Sequence, residues 1–493
     1  MKLITVFTIL LFLTQSTVSR EITIGSKKFT ESVILGEMAR QMVESTEHTS
    51  YHRRELGGSR FLWSALLAGD IDIYPEYTGT LIHEILHAEQ ITSIQNLREV
   101  LSQLGVRMSK PIGFNNTYAL GMQEQLARQL KIQTISDLRN HPDLRFGFNN
   151  EFLDRNDGWH SVRRRYNLPQ QNVQGLDHDL AYRGIAEGAI DLIDLYSTDA
   201  EIEYYNLRAL EDDLKHFPEY QAVYLVREEL LESAPEAVKQ VLLLEGDISE
   251  EEMIEMNAQA KIHHVPEAEV AATFLKTRYG LETEINVVTP VRRILNHLYE
   301  HLYLVVLSMT AAILISIPLG ILAAKYTAFS ASILGIVGII QTIPALALLV
   351  FMIPFFGIGA QPAIVALFLY SLLPIVRNTY AGLQNIPASM RESAQALGLP
   401  SKTILWKIEL PLAARSILAG IKTSVVINIG TATLGALIGA RGLGQPILTG
   451  IRLDNLSLIL QGAIPAALLA ICAQLVFDAI EKWIIPRGLR ENN

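Results

Sequence analysis

The sequence has almost no cysteine and lacks the best-known catalytic motifs. Cys472 is the only cysteine among 493 residues, so no intramolecular disulfide can form and redox chemistry is not expected. No Gly-x-x-x-x-Gly-Lys-Ser/Thr segment occurs in the chain, so it lacks the phosphate-binding loop that an ATPase requires. No Ser/His/Asp constellation for nucleophilic catalysis is discernible either. These absences argue against an enzyme, and no cofactor is expected to bind to the chain.

Charged residues are missing from two long stretches of the C-terminal part. His301–Ala324 contains no Asp, Glu, Lys or Arg, and neither do the 51 residues between Lys325 and Arg377. At a rise of ~1.5 Å per residue, the second stretch is long enough for two membrane spans. Gly357–Pro362 supplies the turn between them. Two more apolar runs bring the predicted number of spans to five: 412–438 and 455–480.

The charge that is present divides unevenly along the chain. Residues 1–300 carry 29 Lys and Arg against 45 Asp and Glu, whereas residues 301–493 carry 12 against 6. This distribution indicates an acidic soluble part followed by a basic membrane part. Nothing in it suggests a nucleic-acid-binding surface.

The N-terminus has the three parts of a secretory signal peptide. Met1-Lys2 precedes the apolar run Leu3–Leu13, and the small polar stretch Thr14–Ser19 offers a cleavage site. The segment is either cleaved or kept as an anchor, and in both cases the domain after it is extracytoplasmic. The predicted boundaries are 1–19 for the signal peptide, 20–285 for the extracytoplasmic domain, 286–300 for a linker and 301–493 for the membrane domain.

Residues 21–285 alternate short β-branched runs with amphipathic helical patterns, which predicts α/β units with largely parallel sheets. Thr30 is a good N-cap for the first helix. Ligands of such domains bind at the carboxyl ends of strands, so motifs directly after strands are the best site candidates. The strand candidates are Glu21–Ile24, Ile71–Tyr74, Leu144–Phe148 and Ile190–Leu195.

The basic residues of the membrane part favour one orientation. With an extracytoplasmic first domain and five spans, the 378–411 segment and the C-terminus both lie in the cytoplasm. Ten Lys and Arg residues then lie inside and four outside, which follows the positive-inside rule. The sequence thus predicts a multi-pass protein of the bacterial inner membrane, with residues 20–300 outside the cytoplasm.

A polar segment, 390–411, lies between the third and fourth predicted spans. Its charged residues would be costly in hydrocarbon, so it must lie in water at a membrane face. Gly398 suits the left-handed turn that ends a helix, and Pro400 follows it. The pattern predicts one short helix through Ala396 and a second that runs to Pro411.

The same segment contains Glu392-Ser393-Ala394, then Gly398, then Ile408-Glu409-Leu410-Pro411. This pattern resembles the EAA loop of ABC importer permeases, whose helix docks into a groove on a separate ATPase subunit. Ser393 departs from the alanine that is usual there. The resemblance implies a cytoplasmic coupling loop over 386–411, a partner ATPase that uses the ATP, and pairing with a second copy of the permease. The implied coupling residues are Glu392, Ser393, Ala394, Gly398, Leu410 and Pro411.

Two further runs of the membrane part, Gln341–Pro344 and Gly442-Leu443-Gly444, resemble osmolyte-importer permeases. Arg441 stands where relatives often have another glycine, and no role is assigned to it from the sequence.

A second resemblance extends through the extracytoplasmic domain. It rests on motifs that occur in order: Gly25-Ser26-Lys27, Tyr74–Thr80, Asn116-Thr117-Tyr118, Asp154–Gly158, Tyr196–Asp199, Leu210–Asp213 and Pro218–Tyr220. Together they resemble the glycine betaine/choline/carnitine class of substrate-binding proteins over roughly residues 21–280. The resemblance implies a type II-like periplasmic-binding-protein domain of two α/β lobes, here followed by an all-α five-helix permease domain. The chain would cross between the lobes near 108–112 and 206–210.

The resemblance also implies the residues of the ligand site. A quaternary ammonium ion has no N–H to donate and spreads its charge over methyl groups, so aromatic ring faces suit it. A betaine also has a carboxylate, which cationic donors suit. The family positions of the cage tyrosines are Tyr77, Tyr118, Tyr196 and Tyr220. The family positions that bind the carboxylate are Lys27, Thr80 and Arg155.

Together the two resemblances imply a fused substrate-binding and permease subunit of an importer for glycine betaine or a related quaternary ammonium osmolyte, serving osmotic protection. Three alternatives stay open. A pure sensor could couple a binding domain to membrane helices, but it would not need the 390–411 docking segment. The ligand could instead be choline, carnitine or ergothioneine, because related proteins reuse one scaffold. His83-Glu84-Ile85-Leu86-His87 also fits the His-Glu-x-x-His pattern of zinc proteases. No obvious third ligand stands at metalloprotease spacing, so no metal is expected.

Overall fold

The computed structural model describes residues 21–87, 89, 91–283, 290–453 and 455–484. The predicted signal peptide, residues 1–19, lies outside the described residues, and so do residues 485–493. The described chain forms an α/β part of two lobes and then an all-helical part.

In the described part of the chain, ten strands form two sheets of five, one in each lobe. In chain order they are β1 (Ile22–Gly25), β2 (Ser50–Arg53), β3 (Ile73–Tyr77), β4 (Val106–Met108), β5 (Tyr118–Gln123), β6 (Phe146–Asn149), β7 (Val173–Leu176), β8 (Leu192–Tyr196), β9 (Leu207–Ala209) and β10 (Ala222–Arg227). The sheet of lobe 1 has the order β2-β1-β3-β10-β4, and that of lobe 2 has the order β7-β6-β8-β5-β9.

Both sheets are mixed, whereas the sequence pattern predicts largely parallel ones. In lobe 1, β1 is parallel to β2 and β3, but β10 is antiparallel to β3 and β4. In lobe 2, β6 is parallel to β7 and β8, but β5 is antiparallel to β8 and β9. The antiparallel strands β5 and β10 are the first ones that the chain forms after crossing to the other lobe. They are reached without a helical crossover, so nothing requires them to run parallel.

The chain crosses between the lobes twice, after β4 and after β9. The first crossing lies between β4 and β5. The sequence analysis predicts it near 108–112, at the start of this segment. The second lies between β9 and β10, so the prediction of 206–210 is wrong. Residues 207–209 form the edge strand of the lobe 2 sheet, and the chain leaves this lobe only after them. A β-bridge between Asn115 and Gln221 joins the two crossing segments.

Thirteen helices cover the two sheets, and the last four pack on lobe 1 with α1. Phe29 is the N-cap of α1, so the prediction that Thr30 caps it is wrong; Thr30 is the first helical residue. The helices are α1 (Thr30–Glu44), α2 (Ser59–Ala68), α3 (Thr78–Thr80), α4 (Ile94–Gln103), α5 (Glu124–Leu130), α6 (Asn150–Asp154), α7 (Trp159–Tyr166), α8 (His178–Ala186), α9 (Glu201–Tyr204), α10 (Glu228–Ser233), α11 (Pro235–Val241), α12 (Glu250–Lys261) and α13 (Glu267–Tyr279). Shorter 3₁₀ segments are Ile135–Asn140 and Leu242–Leu244, and a π-helical turn is Leu81–Ile85.

In the second part of the chain, every regular element that the structure describes is a helix. It consists of α14 (Pro290–Lys325), α15 (Thr327–Thr342), α16 (Ala345–Phe356), α17 (Ala360–Gln384), α18 (Ala388–Ala396), α19 (Ser401–Ile404), α20 (Leu410–Ala432), α21 (Gly444–Arg452) and α22 (Leu456–Ile484). Leu405–Glu409 is π-helical and Thr433–Ile438 is 3₁₀-helical. Because α14 begins at residue 290, the predicted linker 286–300 is already helical over most of its length.

Among the residues that the structure describes, four segments are long and apolar enough to span a membrane: Val291–Lys325, Ala360–Gln384, Ser401–Ile438 and Leu456–Trp483. Helices α15 and α16 make a fifth crossing if they are counted together, although they are bent by 99°. The break falls at Ile343-Pro344, where proline cannot donate a backbone hydrogen bond and disfavours helix in the residue before it.

The spanning helices have one common end beside the binding domain. Glu300, near the start of α14, pairs with Arg441 at 3.1 Å between Oε1 and Nη1. Ile358, just after α16, belongs to a hydrophobic cluster of lobe 1. The pair α15–α16 therefore ends on the binding-domain side.

The opposite end lies a full span away. Lys325, at the end of α14, lies 3.6 Å from Glu409 at the base of α20. The Gln384 amide at the end of α17 donates to the Ala324 carbonyl at 2.9 Å. Glu300 and Lys325 are separated by roughly 38 Å along α14 at ~1.5 Å per residue, more than the ~30 Å of a bilayer core. The 388–409 segment thus lies across a span from the binding domain.

The start of the polar segment between α17 and α20 has the predicted structure, but its end does not. Helix α18 ends at Ala396, and Gly398 has a φ of 73°, as expected of a left-handed turn. The second short helix does not stop at Pro411. It continues through the π-helical turn into α20, and Pro411 is the second residue of α20.

Candidate ligand-binding site

One cavity lies between the two lobes and is lined by residues of both. It contains about 670 Å³ of space that no atoms occupy, part of it open to solvent. All seven residues that the sequence predicts as ligand contacts line this cavity: Lys27, Tyr77 and Thr80 from lobe 1, Tyr118, Arg155 and Tyr196 from lobe 2, and Tyr220 from the second crossing.

The ends of strands bring these side chains together. Lys27 follows β1 by two residues, and Tyr77 is the last residue of β3, so both lie at the carboxyl edge of the lobe 1 sheet. Tyr118 begins β5 and Tyr196 ends β8, and these two residues are directly paired across the antiparallel strands. Directly paired residues project from the same face of a sheet, which explains why the two rings meet.

Three of the four predicted tyrosines form one aromatic surface. The ring centroids of Tyr118 and Tyr196 are 5.0 Å apart, and those of Tyr118 and Tyr220 are 5.6 Å apart with the rings nearly perpendicular. Phe29, which the sequence analysis missed, adds a ring 5.6 Å from Tyr196. Tyr77 lines the same cavity, and its hydroxyl donates to the Glu31 carboxylate. The cavity therefore presents ring faces from both lobes to a ligand.

Both predicted cationic contacts already hold a carboxylate of the protein. The ammonium group of Lys27 pairs with Glu76, and both side chains are buried. Arg155 donates to the two Asp157 oxygens, from Nε at 2.7 Å and from Nη2 at 2.6 Å. Burial raises the pKa of Asp157, but the bonds to Arg155 more than offset it and lower this pKa overall. The remaining Arg155 nitrogen, Nη1, donates to Thr80 Oγ1 at 3.4 Å.

Arg155 also faces two of the cage rings. Its guanidinium carbon lies 5.3 Å from the Tyr118 ring centroid and 5.9 Å from that of Tyr220. These distances are within the range of cation–π attraction, so these rings already interact with a cation. Tyr220 is held in place by a hydrogen bond from its hydroxyl to Asp157 Oδ2 at 2.6 Å.

Glu31, in the first turn of α1, is a cavity residue that the sequence analysis missed. Its carboxylate accepts hydrogen bonds from four side chains: Tyr77, Asn116, Thr198 and Asn257. Burial raises the pKa of Glu31, although all four bonds favour the ionised form. Thr198 belongs to lobe 2, so this carboxylate joins the lobes. Its position four residues after Lys27 is a signal for the site, but an acidic residue in a first helical turn usually only complements the helix dipole.

A second group of charges joins the lobes beside the cavity. Lys261, at the end of α12 on lobe 1, pairs with Asp179 at 2.6 Å and also with Glu201, both of lobe 2. Nearby, His178 Nε2 lies 3.0 Å from Asp199 Oδ2. Burial lowers the pKa of His178, but Asp199 and then Asp194 raise it overall to about 9, so this imidazole is charged at neutral pH. The lobes are thus closed on each other by ionic contacts.

The His-Glu-x-x-His segment is not arranged as a zinc site. His83 and Glu84 lie in the π-helical turn that follows α3, and Glu84 pairs with Arg60 at 2.5 Å. His87 Nδ1 lies 3.2 Å from the Glu84 carbonyl oxygen. Within the described ranges of the chain, no group of three or more His, Cys, Asp or Glu side chains could hold a metal ion.

The six predicted coupling residues do not share one surface. Glu392, Ser393 and Gly398 are exposed on or just after α18, whereas Ala394 is buried. Leu410, the first residue of α20, packs against the core of the helical part, and Pro411 follows it. The α18 region also exposes the large apolar side chains of Met390 and Leu397, the latter at 78%.

Two family models match the chain. Residues 20–277 match the substrate binding domain of the ABC-type glycine betaine transport system, and residues 316–489 match the inner membrane component of binding-protein-dependent transport systems. The choline transport system permease protein OpuBB of Bacillus subtilis is 42% identical over 192 residues, which are 39% of this chain and 88% of that protein. The osmoprotectant import permease protein OsmW of Salmonella typhimurium is 40% identical over 197 residues, which are 39% of this chain and 92% of that protein.

Among solved structures, a glycine betaine/carnitine/choline ABC transporter aligns with a TM-score of 0.46 and 29% identity, over 52% of this chain and 99% of that one. The family matches confirm the predicted order of a two-lobed binding domain and a helical permease domain. The chain belongs to the family of substrate-binding domains of the ABC-type glycine betaine transport system, fused here to the inner membrane component, and is an ABC importer subunit and not an enzyme.

Proposed function

We propose that the cavity between the lobes binds a quaternary ammonium osmolyte, with glycine betaine as the first candidate. The observation that carries this proposal is the contact of Tyr118, Tyr196 and Tyr220 inside a cavity that also contains Lys27 and Arg155. Ring faces attract a trimethylammonium group by ~0.5–2 kcal/mol each, without needing an N–H donor on the ligand. The ligand carboxylate would then lie near the two cations.

The donors for such a carboxylate can be named. Lys27 has three N–H bonds and uses one on Glu76, so two can turn to a ligand. Arg155 spends Nε and Nη2 on Asp157, and its Nη1 makes only a long bond to Thr80. A betaine would therefore receive hydrogen bonds from Lys27 and from the Nη1 side of Arg155, with Thr80 beside it.

Choline is the second candidate, and one observation favours it. Lys27 and Arg155 are each already paired with a carboxylate of the protein, so neither requires an anionic ligand for charge balance. A ligand with a neutral hydroxyl in place of the carboxylate would leave both ion pairs intact.

Titration calorimetry of the full chain in nanodiscs against glycine betaine, choline, carnitine, proline betaine and ergothioneine tests the proposal. Lys27→Met separates the two candidates, because it should weaken betaine binding tenfold or more and leave choline within threefold. Lys28→Met, on the neighbouring lysine paired with Asp177, is the matched control. The proposal fails if no trimethylammonium compound in the panel binds.

The transport cycle that follows from this proposal has the binding domain outside the cytoplasm and the 386–411 segment inside. The roughly 38 Å between Glu300 and Lys325 supports this arrangement, because it separates the binding domain from that segment by one span. A cytoplasmic ATPase would dock on α18, and two copies of the chain would form the pore. Each transporter would then carry two tethered binding domains at high local concentration, and import would serve osmotic protection.

Purification of the full chain with a candidate ATPase tests this assembly. We expect a complex of two copies of each, with the C-terminus protected from protease added outside right-side-out vesicles. A monomeric chain in the complex, or a C-terminus that external protease removes, would contradict the arrangement.

A further inference from the structure

A buried arginine of the permease domain reaches into the binding domain. Arg452, the last residue of α21, donates to Glu55 Oε1 from Nε at 3.0 Å and from Nη2 at 2.6 Å. Its Nη1 donates to Thr30 Oγ1 at 2.8 Å, and Nη2 also donates to Glu267. Arg452 is only 6% exposed, and Thr30, Glu55 and Glu267 are also buried. The planar guanidinium thus spends its donors on three groups of the other domain.

The groups around Arg452 carry charges of both signs, so the contact consists of ion pairs. Arg54 also pairs with Glu267 at 2.6 Å, so two carboxylates, Glu55 and Glu267, face two guanidinium groups. Burial alone would raise the pKa of Glu267, but Arg452 and Arg54 hold it at about 2. Loss of Arg452 would leave Glu55 and Glu267 buried with one fewer cation, which is the costly way to break a buried ion pair.

The face of α21 that carries Arg452 is turned towards Glu55. Gln445 Nε2 donates to Glu55 Oε2 at 2.7 Å, and Thr449 Oγ1 donates to the same oxygen at 3.0 Å. The three residues of α21 are spaced by four and then three, so they lie on one side of a helix. A whole helical face, and not one side chain, therefore holds this carboxylate.

Arg441 makes a second contact between the domains. Its guanidinium carbon lies 4.3 Å from the centroid of the Tyr51 ring in β2, and Nη1 pairs with Glu300 at 3.1 Å. Its φ is 60°, a left-handed conformation that is costly for a residue with a Cβ atom. Thus the residue that stands where relatives often have glycine has a partner in the binding domain.

The groups that these two arginines contact in the binding domain all belong to lobe 1. Tyr51 lies in β2, Glu55 follows this strand, Thr30 begins α1, and Glu267 begins α13, which packs on α1. When two lobes move about a hinge, distances within one lobe hardly change. These contacts can therefore persist whether the lobes are open or closed.

We infer that the permease domain anchors lobe 1 of its own binding domain through Arg452 and Arg441, so that lobe 1 stays docked while lobe 2 swings over the ligand. This goes beyond the proposed function, because the anchor needs no ligand. With lobe 1 anchored, release of the ligand to the permease requires motion of lobe 2 only. Lobe 2 opens the cavity, while the ligand contacts of lobe 1 keep their position above the permease.

The distance between two spin labels on the same chain tests whether lobe 1 is anchored to the permease domain. The full chain is reconstituted in nanodiscs with Cys472 replaced by serine, and the labelled chain is diluted with unlabelled chain. One pair joins lobe 1 to the permease domain (Gln103→Cys with Leu456→Cys), and the other joins lobe 2 to it (Glu187→Cys with Leu456→Cys). All three positions are exposed. We expect a narrow distribution for the lobe 1 pair without ligand, and at least a twofold broadening in Arg452→Ala.

Two more variants separate docking from misfolding. Glu55→Gln removes the ion pair from the binding-domain side and should broaden the lobe 1 distribution as Arg452→Ala does. Arg278→Ala, which breaks ion pairs with Asp247 and Glu252 within lobe 1, should leave it narrow. A broad distribution in the parent chain, or a narrow one in both Arg452→Ala and Glu55→Gln, would overturn the inference.

Glycine betaine tests which lobe moves. It should shift the lobe 2 distances and leave the lobe 1 distances unchanged. A shift of the lobe 1 pair with a static lobe 2 pair would overturn the inference. The effect of Arg452→Ala on the lobe 1 pair needs no ligand, so it can be read even if the proposed ligand class is wrong.

Discussion

The hydrogen bond from Thr198 to Glu31 joins the lobes, so its removal should weaken ligand binding. The Thr198 hydroxyl, from lobe 2, donates to Glu31 Oε2, and Thr198 is only 1% exposed. A hydrogen bond to a charged group contributes ~1.5–3 kcal/mol, and one to a neutral group about 1 kcal/mol. Thr198→Val should therefore raise the Kd of the ligand by roughly 5- to 150-fold, at ~1.4 kcal/mol per factor of ten. Because burial raises the pKa of Glu31, the lower end applies where its carboxyl group is protonated.

Calorimetric titration of the full chain with the best ligand of the panel measures this effect. Thr198→Ser is the matched control, because it keeps the donor and removes only the methyl group, and we expect its Kd within threefold of the parent value. Equal Kd values for the valine and serine variants would refute the reasoning, because loss of the hydroxyl would then matter no more than loss of the methyl group.

Three further predictions concern other parts of the chain. Tyr196→Ala should cost ~1–3 kcal/mol of ligand binding in calorimetry, and Tyr196→Phe far less, because the ring face and not the hydroxyl attracts the cation; equal losses would contradict this. The pKa of His178 is raised to about 9 in the folded chain, against 6.5 in the unfolded chain. Its contribution of roughly 3 kcal/mol to the free energy of unfolding is therefore complete below pH 6.5 and is lost as the pH rises through 9. Amide hydrogen exchange of β8, measured against pH, should show this loss of stability, and His178→Asn should make the protection of β8 independent of pH over that range. An unchanged pH dependence in the variant would exclude His178 as the source of the loss. Leu397→Asp should abolish co-purification of the ATPase and leave ligand Kd unchanged, and Leu399→Ala, on a less exposed neighbour, is its control.

The sequence alone determined the two-part organisation, because long runs without charge indicate membrane helices, and Gly398 is a local signal for the end of a helix. The seven predicted cavity residues, from Lys27 to Tyr220, came from the resemblance of their motifs to a family of substrate-binding proteins. All seven line the cavity between the lobes. Their roles in binding remain predictions.

Tertiary structure decided what local patterns do not encode. The sequence could not show that Lys27 and Arg155 are neutralised by Glu76 and Asp157, since partners 49 and two residues away are chosen by the packing of strands and loops. The second lobe crossing was misplaced because a three-residue edge strand has too short a pattern to recognise. Most of all, only the docked domains bring Arg452 to Glu55, 397 residues earlier in the chain. An ion pair of that kind depends on where two separately folded domains meet.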